Sequence, residues 1–271
     1  GIFGSTAILN DMTLLGVGAG NATGGATTTL GGIGTGYIYA DWIGQIAYTT
    51  PNMNGFSATL GITQPWNAGG ALSGAESAES TGSTDEFGFQ GQASFSWTGD
   101  FAGKVWGGFF SQEVTNIGVA NAVTGLVTDG SSDRANAYEA GISTSLMNVN
   151  LVAYAYSGEG VGTTALLSQG FDTTGSARDS DGGYVQGTYV IPTGTKLGVS
   201  YGISNLDDNT ADQTAVGQTL VKENKRLTIG AYHPLTKHLN LVAEFSNVEA
   251  EAHNGLSNEE DKISLGAILF F

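Results

Sequence analysis

Along residues 87–97 the side chains change character at every step. Phe87, Phe89, Gly91, Ala93, Phe95 and Trp97 share one parity, and Gly88, Gln90, Gln92, Ser94 and Ser96 share the other. Alternate residues of an extended strand point to opposite sides of a sheet, so this segment needs an apolar environment on one face and a polar one on the other. The pattern recurs. Leu197, Val199, Tyr201 and Ile203 oppose Lys196, Gly198, Ser200, Gly202 and Ser204, while Leu239, Leu241, Ala243 and Phe245 oppose His238, Asn240, Glu244 and Ser246. In the last residues Ile263, Leu265, Ala267, Leu269 and Phe271 line one side.

Strands of about ten residues are expected in five hairpins, joined alternately by tight turns and long polar stretches. The pairs are 39–49 with 56–64, 87–97 with 102–114, 137–146 with 149–156, 183–191 with 195–204, and 225–233 with 238–248. A terminal strand over 263–271 makes about eleven. Pro51, Gly55, Gly99, Pro192, Gly194 and Pro234 mark the tight turns, where fixed or positive φ is required. Residues 1–35 lack the alternation. They read as a long structured loop with a short helix around 7–15, packed through Ile8, Leu9, Met12, Leu14 and Leu15.

Composition decides what lies outside the apolar face. The chain has 43 Gly and 13% charged residues, about twice the usual glycine and half the usual charge. No run of 18 apolar residues occurs, so no transmembrane helix is expected, but barrel strands do not need one. Tyr48, Phe56, Trp97, Phe101 and Tyr189 cluster at the tight-turn ends, as an aromatic girdle at a membrane interface would. A soluble sandwich also alternates. It gives no reason for a polar face of Gly, Ser and Gln together with long loops at one end only, so the barrel is favoured.

The formal charge of −16 disfavours nucleic-acid binding. Absence of Cys removes disulfide and thiolate chemistry. Most acidic residues, among them Glu76, Glu79, Asp85, Asp133, Glu159, Asp172, Asp179, Asp181, Asp207, Asp208, Glu249, Glu251, Glu259 and Glu260, fall in the expected long loops. None has the spacing of an EF-hand or RTX calcium site, so they read as a solvated acidic mouth. The Gly31–Gly34 region does not follow a strand into a helix, so it is no phosphate cradle. No cofactor is expected. His233, His238 and His253 are the candidate bases, and no nucleophile and acid alternate with them on nearby strands. A barrel hydrolase and a surface adhesin or receptor acting through the loops remain as alternative classes.

Several segments resemble the general porins of the Gram-negative outer membrane. Ile46-Ala47-Tyr48-Thr49-Thr50-Pro51-Asn52-Met53-Asn54-Gly55-Phe56 is similar to a family hairpin. Tyr184-Val185-Gln186-Gly187-Thr188-Tyr189 and Lys196-Leu197-Gly198-Val199-Ser200-Tyr201-Gly202 resemble a second, and Tyr232-His233-Pro234-Leu235-Thr236-Lys237 a family turn. The resemblance implies an all-β, antiparallel transmembrane barrel of the sixteen-stranded type, of which about eleven strands are present. It also implies a constriction loop after the fifth strand, folded into the lumen, where residues 1–35 would fall, with the strands in 36–271. On that count the chain is expected to be a C-terminal piece, the alternative being a small complete barrel with an N-terminal plug.

The function implied is passive diffusion of small hydrophilic solutes and ions through a water-filled channel, with a weak bias toward cations from the acidic mouth. The partners implied are outer-membrane lipids, two further copies in a homotrimer, and the barrel assembly machinery, for which Phe271 is the signal. From strand parity Asp41, Gln45, Lys104, Glu139, Lys196, Arg226, His238, Glu244 and Lys262 are expected to face the lumen, and Asp11 to lie on the constriction loop. Ala47 and Ile268 stand where relatives often carry basic residues, which leaves the eyelet less charged than is usual.

Overall fold

A computed structural model describes residues 1–12, 35–66, 81–83, 86–118, 130–162, 167, 169–172, 174–213 and 220–271. Its strands are β1 (Gln45–Thr49), β2 (Phe56–Thr63), β3 (Thr81–Ser83), β4 (Gly88–Trp97), β5 (Phe101–Gly118) and β6 (Ser131–Leu146). They continue with β7 (Val149–Glu159), β8 (Asp179–Val190), β9 (Lys196–Leu206), β10 (Val221–Pro234), β11 (Leu239–Ala252) and β12 (Ser257–Leu269). All but β3 follow one another in a single antiparallel sheet ordered β1-β2-β4-β5-β6-β7-β8-β9-β10-β11-β12, and β3 pairs with β5 off this path. Apart from β2, which skips β3 to pair with β4, each strand in the path therefore pairs with its neighbours in sequence. Among the described residues β1 and β12 end the sheet and do not pair with each other.

The short connections follow from local backbone chemistry. Asn54 and Gly55 both take positive φ, 53° and 99°, as a tight hairpin turn whose twist matches its strands demands. Gly55 also has no room for a side chain, since a Cβ would lie 2.2 Å from the Ser96 carbonyl oxygen. Asn52 Oδ1 accepts from the Gly55 amide at 2.8 Å and fixes the turn from outside.

The two faces of the sheet differ sharply. The outer face exposes Ile46, Leu60, Phe89, Phe109, Ile142, Val185, Val199, Ile229, Phe245, Ile263 and Leu265. At the tight-turn end Tyr48, Phe56, Phe101 and Tyr189 are exposed as well, and Trp97 stacks on Phe95 with its Nε1 donating to the Phe101 carbonyl at 2.7 Å. The inner face buries Gln90, Gln112, Glu139, Gln186, Ser200, Ser204, Arg226, Thr228, Glu244 and Ser246. An apolar exterior around a polar interior is the inverse of a soluble domain and suits a sheet with lipid outside.

Three expectations are corrected. Strand β1 begins at Gln45, so the stretch 39–44 is not strand. The buried run Tyr37, Ile38, Tyr39 and Ala40 lies against the inner face, and Asp41 leaves it in the left-handed region at φ 57°. The helix α1 (Ser5–Ile8) is one turn long and starts before residue 7; Leu9 is 84% exposed, Ile8 half-buried and Met12 buried, while Leu14 and Leu15 fall outside the described residues.

The third correction concerns the acidic residues. Asp133, Glu159, Asp179, Asp181, Glu249, Glu251, Glu259 and Glu260 lie on strands, because β6, β7, β8, β11 and β12 run on past the apolar band. Asp179, Asp181, Glu249, Glu251, Glu259 and Asp261 share the parity of the outer face. Beside Glu249 and Glu251, the inward Val248, Ala250 and Ala252 are buried. The alternation thus inverts above the band: acidic outside, apolar inside.

Candidate functional site: the inner face and the segment seated on it

The polar parity of the strands supplies a row of amides that holds a chain segment against the sheet. Gln90 Oε1 accepts from the amides of Ile2 and Phe3 at 2.6 and 3.0 Å. Gln92 Oε1 accepts from Thr6 Oγ1 at 2.6 Å. Gln186 works in both directions, accepting from the Met12 amide at 2.9 Å and donating from Nε2 to the Asn10 carbonyl at 2.8 Å. The Tyr184 hydroxyl donates to the Ala7 carbonyl at 2.9 Å, and the Tyr232 hydroxyl reaches the Met12 carbonyl. These bonds satisfy backbone groups that regular structure leaves unpaired, which is the condition for seating non-strand chain at membrane depth.

Residues 35–44 form the second half of the seat. The Gly36 amide donates to Ser204 Oγ at 2.7 Å. Gly36 has φ 95°, and a Cβ there would meet the Gly183 carbonyl oxygen at 2.6 Å, so only glycine fits. Tyr37 packs edge-on against Tyr154 and Tyr184, with centroids 6.4 and 5.9 Å apart. Its hydroxyl donates to Asp11 Oδ2 at 3.1 Å, tying the two segments together. Burial first, and then the Asp11 charge and hydrogen bond, hold the Tyr37 phenol well above its ordinary value, so it stays a donor. Phe3, Trp66 and Phe110 fill the space at the other side, with Trp66 and Phe110 stacked at 4.7 Å.

The charged residues singled out from the sequence are placed as follows. Glu139 is buried on the inner face, its carboxylate accepting from Gln92 Nε2 at 2.9 Å, from the Tyr154 hydroxyl at 2.7 Å, and from the Gly4 amide. Glu244 is buried and meets the Tyr232 hydroxyl at 2.6 Å. Lys196 is half-buried, with its ammonium 4.6 Å from the centre of the Tyr232 ring. Arg226 is buried, donating from Nε to Thr228 Oγ1 at 3.2 Å and from Nη2 to Ser246 Oγ at 3.1 Å. Lys104 lies opposite Ser96 and Ser143, Gln45 opposite buried Thr63, and Lys262 opposite buried Ser246, all with inner parity.

Asp41 does not follow strand parity, since it sits in the seated segment with its Oδ1 accepting from the Trp42 amide at 2.7 Å. His238 is exposed in the turn before β11 with Nδ1 3.1 Å from the Phe270 carbonyl oxygen, not on an inward strand position. Phe271 is fully exposed beyond β12. Ile268 packs inward against Met12, Tyr232 and Val242.

The structure therefore brings Asp11, Lys196, Arg226 and Glu244 around the seated segment and leaves Gln45, Lys104 and Lys262 spread along the wall. The anchoring residues Gln90, Gln92, Gln186, Tyr184 and Tyr232 carried no role in the sequence reading. Their signal was present: amide and phenol side chains on an inward parity that otherwise holds small residues.

A continuous antiparallel meander, apolar outside, polar inside and carrying a hydrogen-bonded chain segment on its inner face, is the wall of a transmembrane β-barrel. A family model described as Gram-negative porin matches residues 3–253, and the chain belongs to that family. It is an outer-membrane protein.

The outer membrane channel DcaP of Acinetobacter baumannii superposes with a TM-score of 0.71 at 13% sequence identity, covering 94% of this chain and 71% of that one. The anion-selective porin from Comamonas acidovorans gives 0.54 at 12% identity, covering 84% of this chain and 59% of that one. At such identities the likeness is one of fold. A comparison with curated proteins finds no match.

Proposed function

We propose that the chain forms the wall and constriction of a water-filled pore that passes small hydrophilic solutes and ions by diffusion, with a weak preference for cations. The observation that carries this reading is the seating of residues 1–12 on a polar inner face by Gln90, Gln92, Gln186, Tyr184 and Tyr232. A segment so held narrows a lumen without closing it and needs no catalytic group. Residues 13–34, which complete the expected constriction loop, lie outside the described residues.

In this reading Gln45, Lys104, Glu139, Lys196, Arg226, Glu244 and Lys262 line the wall, and Asp11 and Asp41 face them from the seated segments. Cations and anions are nearly balanced among these groups, so the wall itself selects weakly. The bias toward cations comes from the acidic loop end and the overall charge of −16. A homotrimer, and recognition of Phe271 by the assembly machinery, belong to the same proposal on the strength of the family resemblance.

The reading is tested by single-channel recording of the protein in planar bilayers under a KCl gradient. Stepwise conductance with a small reversal potential toward the potassium value is expected. A strong anion preference overturns the selectivity, and absence of steps overturns the pore.

A further inference from the structure

The outer face is not evenly ridged. Across β6 to β9 it holds an open groove of about 530 Å³, within the range of small-molecule sites. Strand register builds it. One cross-strand row is Ala140, Ala155, Gly183 and Ile203, and the next row toward the tight turns is Ile142, Ala153, Val185 and Tyr201. The two rows put alanine and glycine together as a low floor, with Ile142, Val185, Tyr201 and Ile203 standing around it. Gly183 admits no side chain, since a Cβ there would lie 2.6 Å from the Tyr154 carbonyl oxygen, so the backbone itself fixes this part of the floor. No charged group of the described residues lines the groove, and it lies on the face turned to lipid, so an alkyl chain gains apolar contact there.

Directly above the groove the same face becomes acidic. Tyr138, Ser157, Asp181 and Asn205 form the next row, and Asn136, Glu159 and Asp179 the one after it. These rows stand about 7 and 14 Å above Gly183 along the strands. Asn205 Nδ2 donates to Asp181 Oδ2 at 3.0 Å and holds that carboxylate at the upper mouth of the groove. Glu159 and Asp179 are direct cross-strand partners, a like-charge arrangement that is unfavourable until a cation joins it. Among the described residues no Lys, Arg or His lies within 4 Å of these three carboxylates, and Arg134 on the same face of β6 is taken by Glu86. Nor does any group of three acidic or histidine side chains among the described residues converge to hold a metal ion. A second copy of this chain would bring the same acidic row to that level, and an anionic lipid its phosphate, so both meet like charge.

We propose that this groove binds an amphiphile that joins an alkyl chain to an ammonium head. The chain lies on Ala140, Ala153, Ala155 and Gly183, and the ammonium meets Asp181 beneath the Glu159 and Asp179 pair. The site is on the lipid side of the wall and does not depend on the pore reading.

The test is native mass spectrometry of the folded protein in a neutral detergent, with hexadecylamine, hexadecanol and hexadecanoate as probes. Hexadecylamine is expected to be retained at a concentration roughly tenfold below hexadecanol, the gain of one charge-assisted contact, with hexadecanoate weaker than either. Asp181→Asn combined with Glu159→Gln is expected to bring hexadecylamine down to the level of hexadecanol. Ala155→Phe fills the floor and is expected to weaken retention of both probes, and Ala153→Phe serves as a second filler where the first disturbs folding. Glu259→Gln combined with Asp261→Asn removes carboxylates from the outer face of β12 and is expected to leave retention unchanged, which separates the groove from general attraction to an acidic protein. Equal losses in the two carboxylate variants, or full retention in both filled variants, overturn the site. Retention of hexadecanoate above hexadecylamine once MgCl2 is added assigns the carboxylates to a bridging metal ion and overturns the ammonium head.

Discussion

Arg178 and Asp212 form a buried, two-pronged ion pair that joins two of the connections at the strand-extended end. Nε donates to Oδ2 at 2.7 Å and Nη2 to Oδ1 at 2.6 Å, and Nη1 donates to the Gln169 and Phe171 carbonyls at 3.0 and 2.7 Å. The side chains are 2% and 6% exposed. Such a pair is costly to break from one side, because the surviving charge stays buried without its partner. Arg178→Ala or Asp212→Asn is expected to destabilise these connections by about 3–5 kcal/mol. Limited proteolysis of the folded protein reads this as new cleavage near residues 160–178 and 207–213 with the strands intact.

The same pair sets an acid limit. Burial pulls the Asp212 carboxyl upward, but the Arg178 hydrogen bond, the Asn209 amide, and the charges of Arg178 and His253 outweigh it and hold the group below its ordinary 3.8. A carboxylate with a lowered folded pKa stabilises fully above the unfolded value, and that contribution is lost as pH falls through the folded one. The connections are thus expected to keep their protease resistance down to about pH 4 and to lose it below. In Asp212→Asn this acid-dependent loss is absent.

Gln186 is expected to control how firmly the seated segment is held. Its side chain serves the Met12 amide and the Asn10 carbonyl at once. Gln186→Ala leaves both backbone groups unpaired, at about 1–3 kcal/mol for each one that water does not reach. Open-channel current noise is the readout, and it is expected to rise in the variant. Gln186→Glu keeps the acceptor for Met12 but loses the donor for Asn10, and is expected to fall between the two.

Where the outer face turns from apolar to acidic marks the edge of the hydrocarbon. On β12 this happens between Ile263 and Asp261, and on β11 between Phe245 and Glu249, with the uncharged Asn247 between them. Ala267→Arg, near the middle of the outward row of β12, is expected to cost about 2–4 kcal/mol in folding into bilayers, and Asp261→Arg about 0–1 kcal/mol. Urea titrations in lipid vesicles measure the difference. Equal costs at the two positions would place the membrane elsewhere on the barrel.

The wall was legible in the sequence because lipid outside and water inside force a period of two. The expected hairpins and the inward positions of Lys196, Arg226 and Glu244 came directly from it. The period misled in two places for physical reasons. Residues 39–44 run straight into the alternation of β1, yet Tyr37, Ile38 and Tyr39 are buried on the inner face, Tyr37 against Tyr154 and Tyr184, instead of finding a sheet partner. At 249–261 acidic residues read as a loop. There the alternation persists with its sign reversed, because water surrounds the strands beyond the bilayer and the interior at that end is packed with Val248, Ala250 and Ala252. The seated segment was legible as a loop that packs, but its partners were not, since no local pattern says which glutamine 80 or more residues away will receive an amide.

The absence of cysteine makes the inner and outer faces directly comparable by single-cysteine labelling. Ser94→Cys and Ser264→Cys place a thiol on the inner face of β4 and β12, and Val199→Cys places one on the outer face of β9. A charged, water-soluble thiol reagent added during single-channel recording is predicted to step the current down in the two inner variants and leave Val199→Cys unchanged. Block in Val199→Cys with none in the inner pair would contradict a water-filled lumen on the face that carries residues 1–12.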